Sequence, residues 1–270
     1  MTWLHEKQQL IATGAPQNIL FIAFSAVPRH LGKADLALSD MELQAAEQLR
    51  PGWFPGNWSI ERAGRVLLLL SLPSEDVETY IETLEKLFTA ADVNELTTLY
   101  ESLALLPHPE ALLPRALEGP RTSITPVFNA IALRNPYPAE QFDELAWNQL
   151  VLKALFVGSP LHPIHGLERR ANATLAFILR DYAHERWAAS RTVSPELWRP
   201  VGPFITPEFI PDLEKVLQHP EPVQQEAAAL ALSQASIPEA KQLLDTRPNL
   251  RDRIEAGLLS WPIHAETYFG

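Results

Sequence analysis

Two histidines, His162 and His165, stand in the stretch GSPLHPIHGLERR, and DYAHER, Asp181 to Arg186, follows it along the chain. Imidazole and carboxylate groups at such spacings can ligate a divalent metal, which would polarise a carbonyl or activate a water. One reading is therefore a metal-assisted hydrolase or isomerase using His162, His165, Asp181 and His184. On helical spacing Asp181, His184 and Glu185 share a face with Arg180 beside them, while Leu175, Ile178, Leu179 and Tyr182 lie opposite. Any helix resting on a core shows the same pattern. The helical zinc motif, two histidines four apart with a glutamate beside the first, is absent. His162 and His165 flank Pro163 between Gly158 and Gly166, where the chain turns rather than coils. The other readings are a hydrogen-bonded structural face and a polar ligand-contact face, and no metal or other cofactor is expected.

Other chemistries find less support. The chain has no Gly-x-Ser-x-Gly elbow, no phosphate-cradling glycine loop and no dinucleotide fingerprint. With no cysteine there is no disulfide, thiolate metal site or thiol nucleophile. The pair Glu75 and Asp76 sits where a helix begins, and capping accounts for it.

The elements that must position these residues are helical. Among 270 residues there are 24 prolines and 11 glycines, and so many prolines would keep interrupting strand ladders. Here they stand at helix starts. Ser194-Pro195-Glu196 and Thr206-Pro207-Glu208 each read as a capping hydroxyl, a first-turn proline and an acid facing the positive helix end. Pro109-Glu110 and Pro238-Glu239 repeat the last two steps. Val77, Tyr80, Ile81, Leu84, Leu87 and Phe88 follow helical spacing behind Ser74-Glu75-Asp76. No segment alternates as a strand would.

Two stretches align, ALLPRALEGPRTSITPVFNAIAL from Ala111 and PDLEKVLQHPEPVQQEAAALALS from Pro211. Leu113, Leu117, Pro120, Val127 and Ile131 fall on Leu213, Leu217, Pro220, Ala227 and Ala231. A helix, a proline turn and a second helix is the grammar of HEAT-like repeats, whose units run about 40 residues. The expected fold is all-α, a HEAT-like or α-solenoid-like array. It is read as one domain over 1–270, with an N-terminal helical segment over 1–50, a helical-hairpin array over 59–245 and a C-terminal cap over 246–270. PGWFPGNW, Pro51 to Trp58, interrupts the pattern. It reads first as a turn whose Trp53, Phe54 and Trp58 cap the adjacent core, and second as an aromatic lid over a groove.

A net charge of −11 with scattered Lys and Arg excludes an electrostatic footprint for nucleic acid or anionic lipid. The apolar run Ile19 to Val27 is far shorter than the roughly 20 residues that span a bilayer, and MTWLHEKQQL lacks the basic start of a secretory signal. The chain reads as cytoplasmic and not membrane-embedded.

From Glu144 to Phe204 several runs occur in order: WNQLVLKALFVGSPL, then Gly166, Leu167, Arg170 and Asn172 in GL-x-x-R-x-N, then DYAHERWAA and SPELWRPVGPF. This region resembles the EboA family of metabolite traffic proteins, with looser similarity from about Asn94 and none before it. DYAHER is typical of that pattern, whereas the positions of His162 and His165 commonly hold other residues. The resemblance implies an all-helical bacterial protein of secondary metabolism. Its genes would neighbour those for a prenyltransferase-like membrane protein and hydrolase- or isomerase-like enzymes, a group linked to moving a precursor from cytoplasm to periplasm. It implies no reaction for this component. The expected role is therefore non-catalytic: binding an apolar metabolite, or scaffolding the proteins encoded in the same gene cluster. Trp147, Asn148, Lys153, Asp181, His184, Arg186 and Trp187 are the candidate ligand or partner face, because aromatic bulk there mixes with polar groups able to orient a bound molecule.

Overall fold

Helix starts in this chain are written in short polar residues. Ser39 and Asp92 each form a full capping box, with Glu42 and Glu95 returning the bond. Ser59, Asp76 and Asn172 each accept a backbone N–H three residues on. Prolines open seven further helices, where the missing N–H would have had no intrahelical partner.

The computed structural model describes residues 2–269. They divide into two compact units, the first ending at Ala146 and the second beginning at Trp147. In the first are α1 (Thr2–Ala12), α2 (Gln17–Leu31), α3 (Asp40–Leu49), α4 (Ile60–Leu69), α5 (Val77–Ala90), α6 (Val93–Ser102), α7 (Pro109–Ala116), α8 (Thr125–Ala132) and α9 (Tyr137–Gln141). The division falls inside α10 (Glu144–Val157). Then follow α11 (Ala173–Ala188), α12 (Ile210–Leu217), α13 (Pro222–Ser233), α14 (Pro238–Asp245), α15 (Pro248–Glu255) and α16 (Trp261–Phe269). Among the described residues there is no strand; one isolated antiparallel bridge joins Asp35 to Ser59. The fold is all-α, as the sequence indicates. No described helix is long and apolar enough to cross a membrane.

In the first unit α2 packs on α1 and α4, and α6 on α4 and α8, around Phe24, Leu68, Leu69, Leu84, Leu99 and Phe128. Arg65 is buried with them. Its Nε donates to the Phe24 carbonyl at 3.2 Å, and Glu61 and Glu95 lie 3.9 Å from its other nitrogens. In the second unit α13 is the central helix, touched by α12, α14, α15 and α16. Its run of Ala227, Ala228, Ala229 and Ala231 is fully buried and admits close neighbours on every side. The two buried polar residues on α13 are answered: Gln224 Nε2 donates to the Val193 carbonyl at 2.8 Å, and Glu226 takes Arg253 Nη1 at 2.7 Å.

The two stretches aligned in the sequence each fold as helix, proline-containing turn and helix, α7 with α8 and α12 with α13. They differ in the turn, because a 3-10 segment, Gly119–Arg121, stands between α7 and α8. The caps read at Ser194 and Thr206 need correction. Both residues precede 3-10 segments, Pro195–Trp198 and Pro207–Phe209, and neither side chain caps them. Glu196, read there as facing a helix end, is instead buried and serves a different part of the chain.

Candidate functional site

The conspicuous residues lie in the second unit, and most of them are occupied with one another. Glu196 accepts the backbone N–H groups of Leu161 and His162, both at 2.8 Å, and its Oε1 lies 3.0 Å from His162 Nδ1. One carboxylate thus closes the loop in which the two histidines sit. The His162 ring also stacks near Phe269, centroids 5.9 Å apart. His184 meets a different carboxylate, with its Nε2 2.7 Å from Asp212 Oδ1. Asp212 takes Arg180 Nε on its other oxygen at 2.6 Å, and Arg180 donates again to the Glu208 carbonyl at 2.9 Å. His162 and His184 therefore serve Glu196 and Asp212 separately. Among the described residues no group of three or more His, Asp and Glu is placed to hold a metal ion.

Trp147 and Asn148 are interior residues. The Trp147 ring is fully buried, with the Arg170 guanidinium 5.1 Å from its centroid. Asn148 and Asn172 exchange amide hydrogen bonds at 3.2 and 2.8 Å, while Asn172 caps α11 through the Leu175 N–H. These two residues hold the start of the DYAHER helix in place. The other candidates stand outward. Asp181 is exposed, Lys153 lies over the exposed Phe156 ring at 5.5 Å, and Arg186 donates to the Thr192 carbonyl at 3.0 Å. Trp187 stacks on the buried Trp198 at 6.2 Å between centroids, and Lys215 Nζ sits 4.0 Å above its ring. Trp187, Arg191, Val193, Lys215 and His219 line an open cavity of about 290 Å³ at the end of α11.

A second concavity, at the PGWFPGNW loop whose second reading in the sequence is an aromatic lid over a groove, belongs to the first unit. The PGWFPGNW loop is pinned at both ends. Just before it, Arg50 forks onto Glu140 at 2.7 and 2.5 Å and donates to the Ala104 carbonyl at 2.8 Å. Just after it, the chain pairs with residues 34–36, Leu36 N to the Trp58 carbonyl and Ile60 N to the Ala34 carbonyl, both at 2.8 Å. Between these points Trp58 is buried and meets Trp53 edge-on at 5.3 Å. Gly56 makes room for Phe54, whose ring a β-carbon there would strike. The three aromatics therefore both cap the core, through Trp58, and wall a cavity of about 310 Å³, through Trp53 and Phe54.

Facing them is Glu101 of α6. Arg62 donates from Nη1 to Glu101 Oε1 at 3.2 Å. Its Nε comes within 3.1 Å of Oε2, too obliquely for a hydrogen bond, so Oε2 is buried without one. The Trp53 Nε1 donor is likewise buried and unmet. Burial pushes the Glu101 carboxyl up to about 7; the Arg62 charge pulls the other way and loses. No spacing rule could have found this pair, since Glu101 and Trp53 come from distant segments with ordinary helix and turn patterns.

What the fold and these sites define is an all-α protein with small open cavities and paired polar clusters. The chain matches the family described as Metabolite traffic protein EboA over residues 1–202, and it belongs to that family. The match includes the segment before Asn94, where the sequence itself showed no resemblance. No curated protein and no solved structure matches the chain.

Proposed function

We propose that this protein serves metabolite traffic without transforming its cargo, working in the cytoplasm by binding an apolar secondary-metabolite precursor or by holding the proteins encoded beside it. The contact face is the outward side of α10 and α11, bearing Lys153, Asp181, His184, Arg186 and Trp187, with Trp147 and Asn148 fixing that helix from beneath. One observation carries the reading: the Trp187 indole lines an open cavity while Lys215 stands over its ring and Trp198 backs it. An aromatic held between Trp198 and Lys215 and lining a cavity offers a rigid apolar wall for a ligand or a partner helix. The test is a variant pair, Asp181→Ala and Trp187→Ala, assayed for metabolite export and for capture of the neighbouring gene products. The reading expects export or capture to fail while melting of Asp181→Ala stays close to wild type. Loss of activity that only tracks loss of stability across such variants would refute it.

A further inference from the structure

The first-unit cavity has the composition of a ligand site with unmet valences. Its walls are aromatic, Trp53, Phe54 and Trp58, and its polar side carries the Arg62–Glu101 pair together with Asn57, Thr97, Asn129, Arg134 and Asn135. A buried N–H without an acceptor costs free energy comparable to a lost hydrogen bond, and so does a buried carboxylate oxygen without a donor. Such groups call for a partner, which an ordered water or a bound molecule can supply. Here one of each, Trp53 Nε1 and Glu101 Oε2, is carried by a residue that lines the same cavity, just beneath its surface.

We propose that this cavity binds a small, uncharged, planar molecule whose edge carries both a hydrogen-bond acceptor and a hydrogen-bond donor. Planarity follows from the aromatic walls, which favour a ring stacked or packed edge-on. The acceptor answers the Trp53 N–H, and the donor answers Glu101. Neutrality follows from charge, because Arg62 is already matched by Glu101, and Arg134, the other cation of the lining, is exposed and screened by solvent with its guanidinium over the Phe54 ring at 5.2 Å. Size follows from volume, since about 310 Å³ is near the lower end of the roughly 300–1,000 Å³ range of ligand pockets. The loop pinned by Arg50–Glu140 and by the 34–36 pairing holds the aromatic wall in place before any ligand arrives. Nothing in this inference depends on the second-unit face.

The test uses the full chain and calorimetric titration with 2-quinolone, a planar lactam presenting N–H and C=O side by side. Three controls each remove one feature: N-methyl-2-quinolone lacks the donor, 2-piperidone lacks the aromatic ring, and quinoline-2-carboxylate adds a charge. The expected result is saturable binding of 2-quinolone at one equivalent, with all three controls weaker. Trp53→Phe keeps the ring but not the N–H, and Glu101→Gln replaces the acid; each should weaken binding by about 5- to 10-fold, the worth of one good hydrogen bond. Trp187→Ala in the second unit should leave the affinity unchanged, which separates this site from the proposed traffic face. Should Glu101→Gln not fold, Trp53→Phe carries the test alone. No saturable binding would overturn the proposal, as would equal binding by the folded Trp53→Phe protein. Loss of binding with Trp187→Ala would do the same, and tighter binding of the carboxylate would overturn the uncharged ligand class.

Discussion

The DYAHER helix in the second unit and the aromatic loop in the first invite opposite expectations. The helix carries the residues that look chemical, and there the polar groups are spent on the fold: His184 and Arg180 share Asp212, and Glu196 closes the His162 loop. The aromatic loop reads as a turn, yet beside it the Trp53 indole N–H and one oxygen of the Arg62-paired Glu101 are buried without a hydrogen bond. A cluster of catalytic residue types says little until its hydrogen bonds are counted. At the aromatic loop two such unmet atoms belong to residues that line one cavity, whereas in the second unit the buried indole N–H groups of Trp147 and Trp198 lack acceptors without lining the Trp187 cavity.

The comparison can be broken most forcefully at Glu196. If it is purely structural, Glu196→Ala strands two buried amides and should cost about 3–5 kcal/mol, a fall of roughly 10 °C or more in the melting temperature of the second unit. A variant that melts like wild type would mean that the loop holding His162 and His165 does not rely on this carboxylate.

The next largest effect belongs to Glu101 and concerns pH. Unfolded, its carboxyl has the ordinary value of 4.5; folded, burial holds it at about 7. Between those values the folded state carries a proton the unfolded state has lost. Stability should therefore fall as pH rises from about 4.5 to about 7 and level off above, by at most about 3 kcal/mol for this group. Arg62 faces the same carboxyl and limits the fall. Denaturant titrations of wild type and Glu101→Gln across that range should differ in slope, with the variant flatter. Parallel curves would show that Glu101 is not held proton-bound, and the contrast between the two regions would lose its sharper half.

Smaller still is the pair at the DYAHER helix. His184→Ala removes one bond to Asp212 from a half-exposed ring and should cost about 1 kcal/mol. Asp181→Ala, at an exposed position, should stay within about 0.5 kcal/mol. Equal and large losses at both positions would show that Asp181 is structural as well, and would leave the outward face without a residue free for a ligand. In that case the Trp187 cavity alone would remain as the second-unit candidate.

Much of the architecture was legible because it is local. The cap at Asp76, the first-turn prolines Pro109 and Pro238, and the apolar spacing from Val77 to Phe88 act within a few helical turns, so their order in the chain is their order in space. The all-α class follows from them. The same local rules misled at Ser194 and Thr206, where a cap-like string opens a 3-10 segment, because the partner that Glu196 serves lies 35 positions away at Leu161.

The sequence by itself determined the helices, the absence of strand alternation and the family resemblance around DYAHER. Only the tertiary structure decided that Trp147 and Asn148 are interior, that His162 and His184 answer to separate carboxylates, and that Trp53 and Glu101 share a cavity. The physical reason is reach. Helix propensity and capping are fixed by neighbours three or four residues apart, whereas burial, hydrogen-bond satisfaction and the shift of a carboxyl depend on atoms brought together from distant segments, which no local pattern encodes.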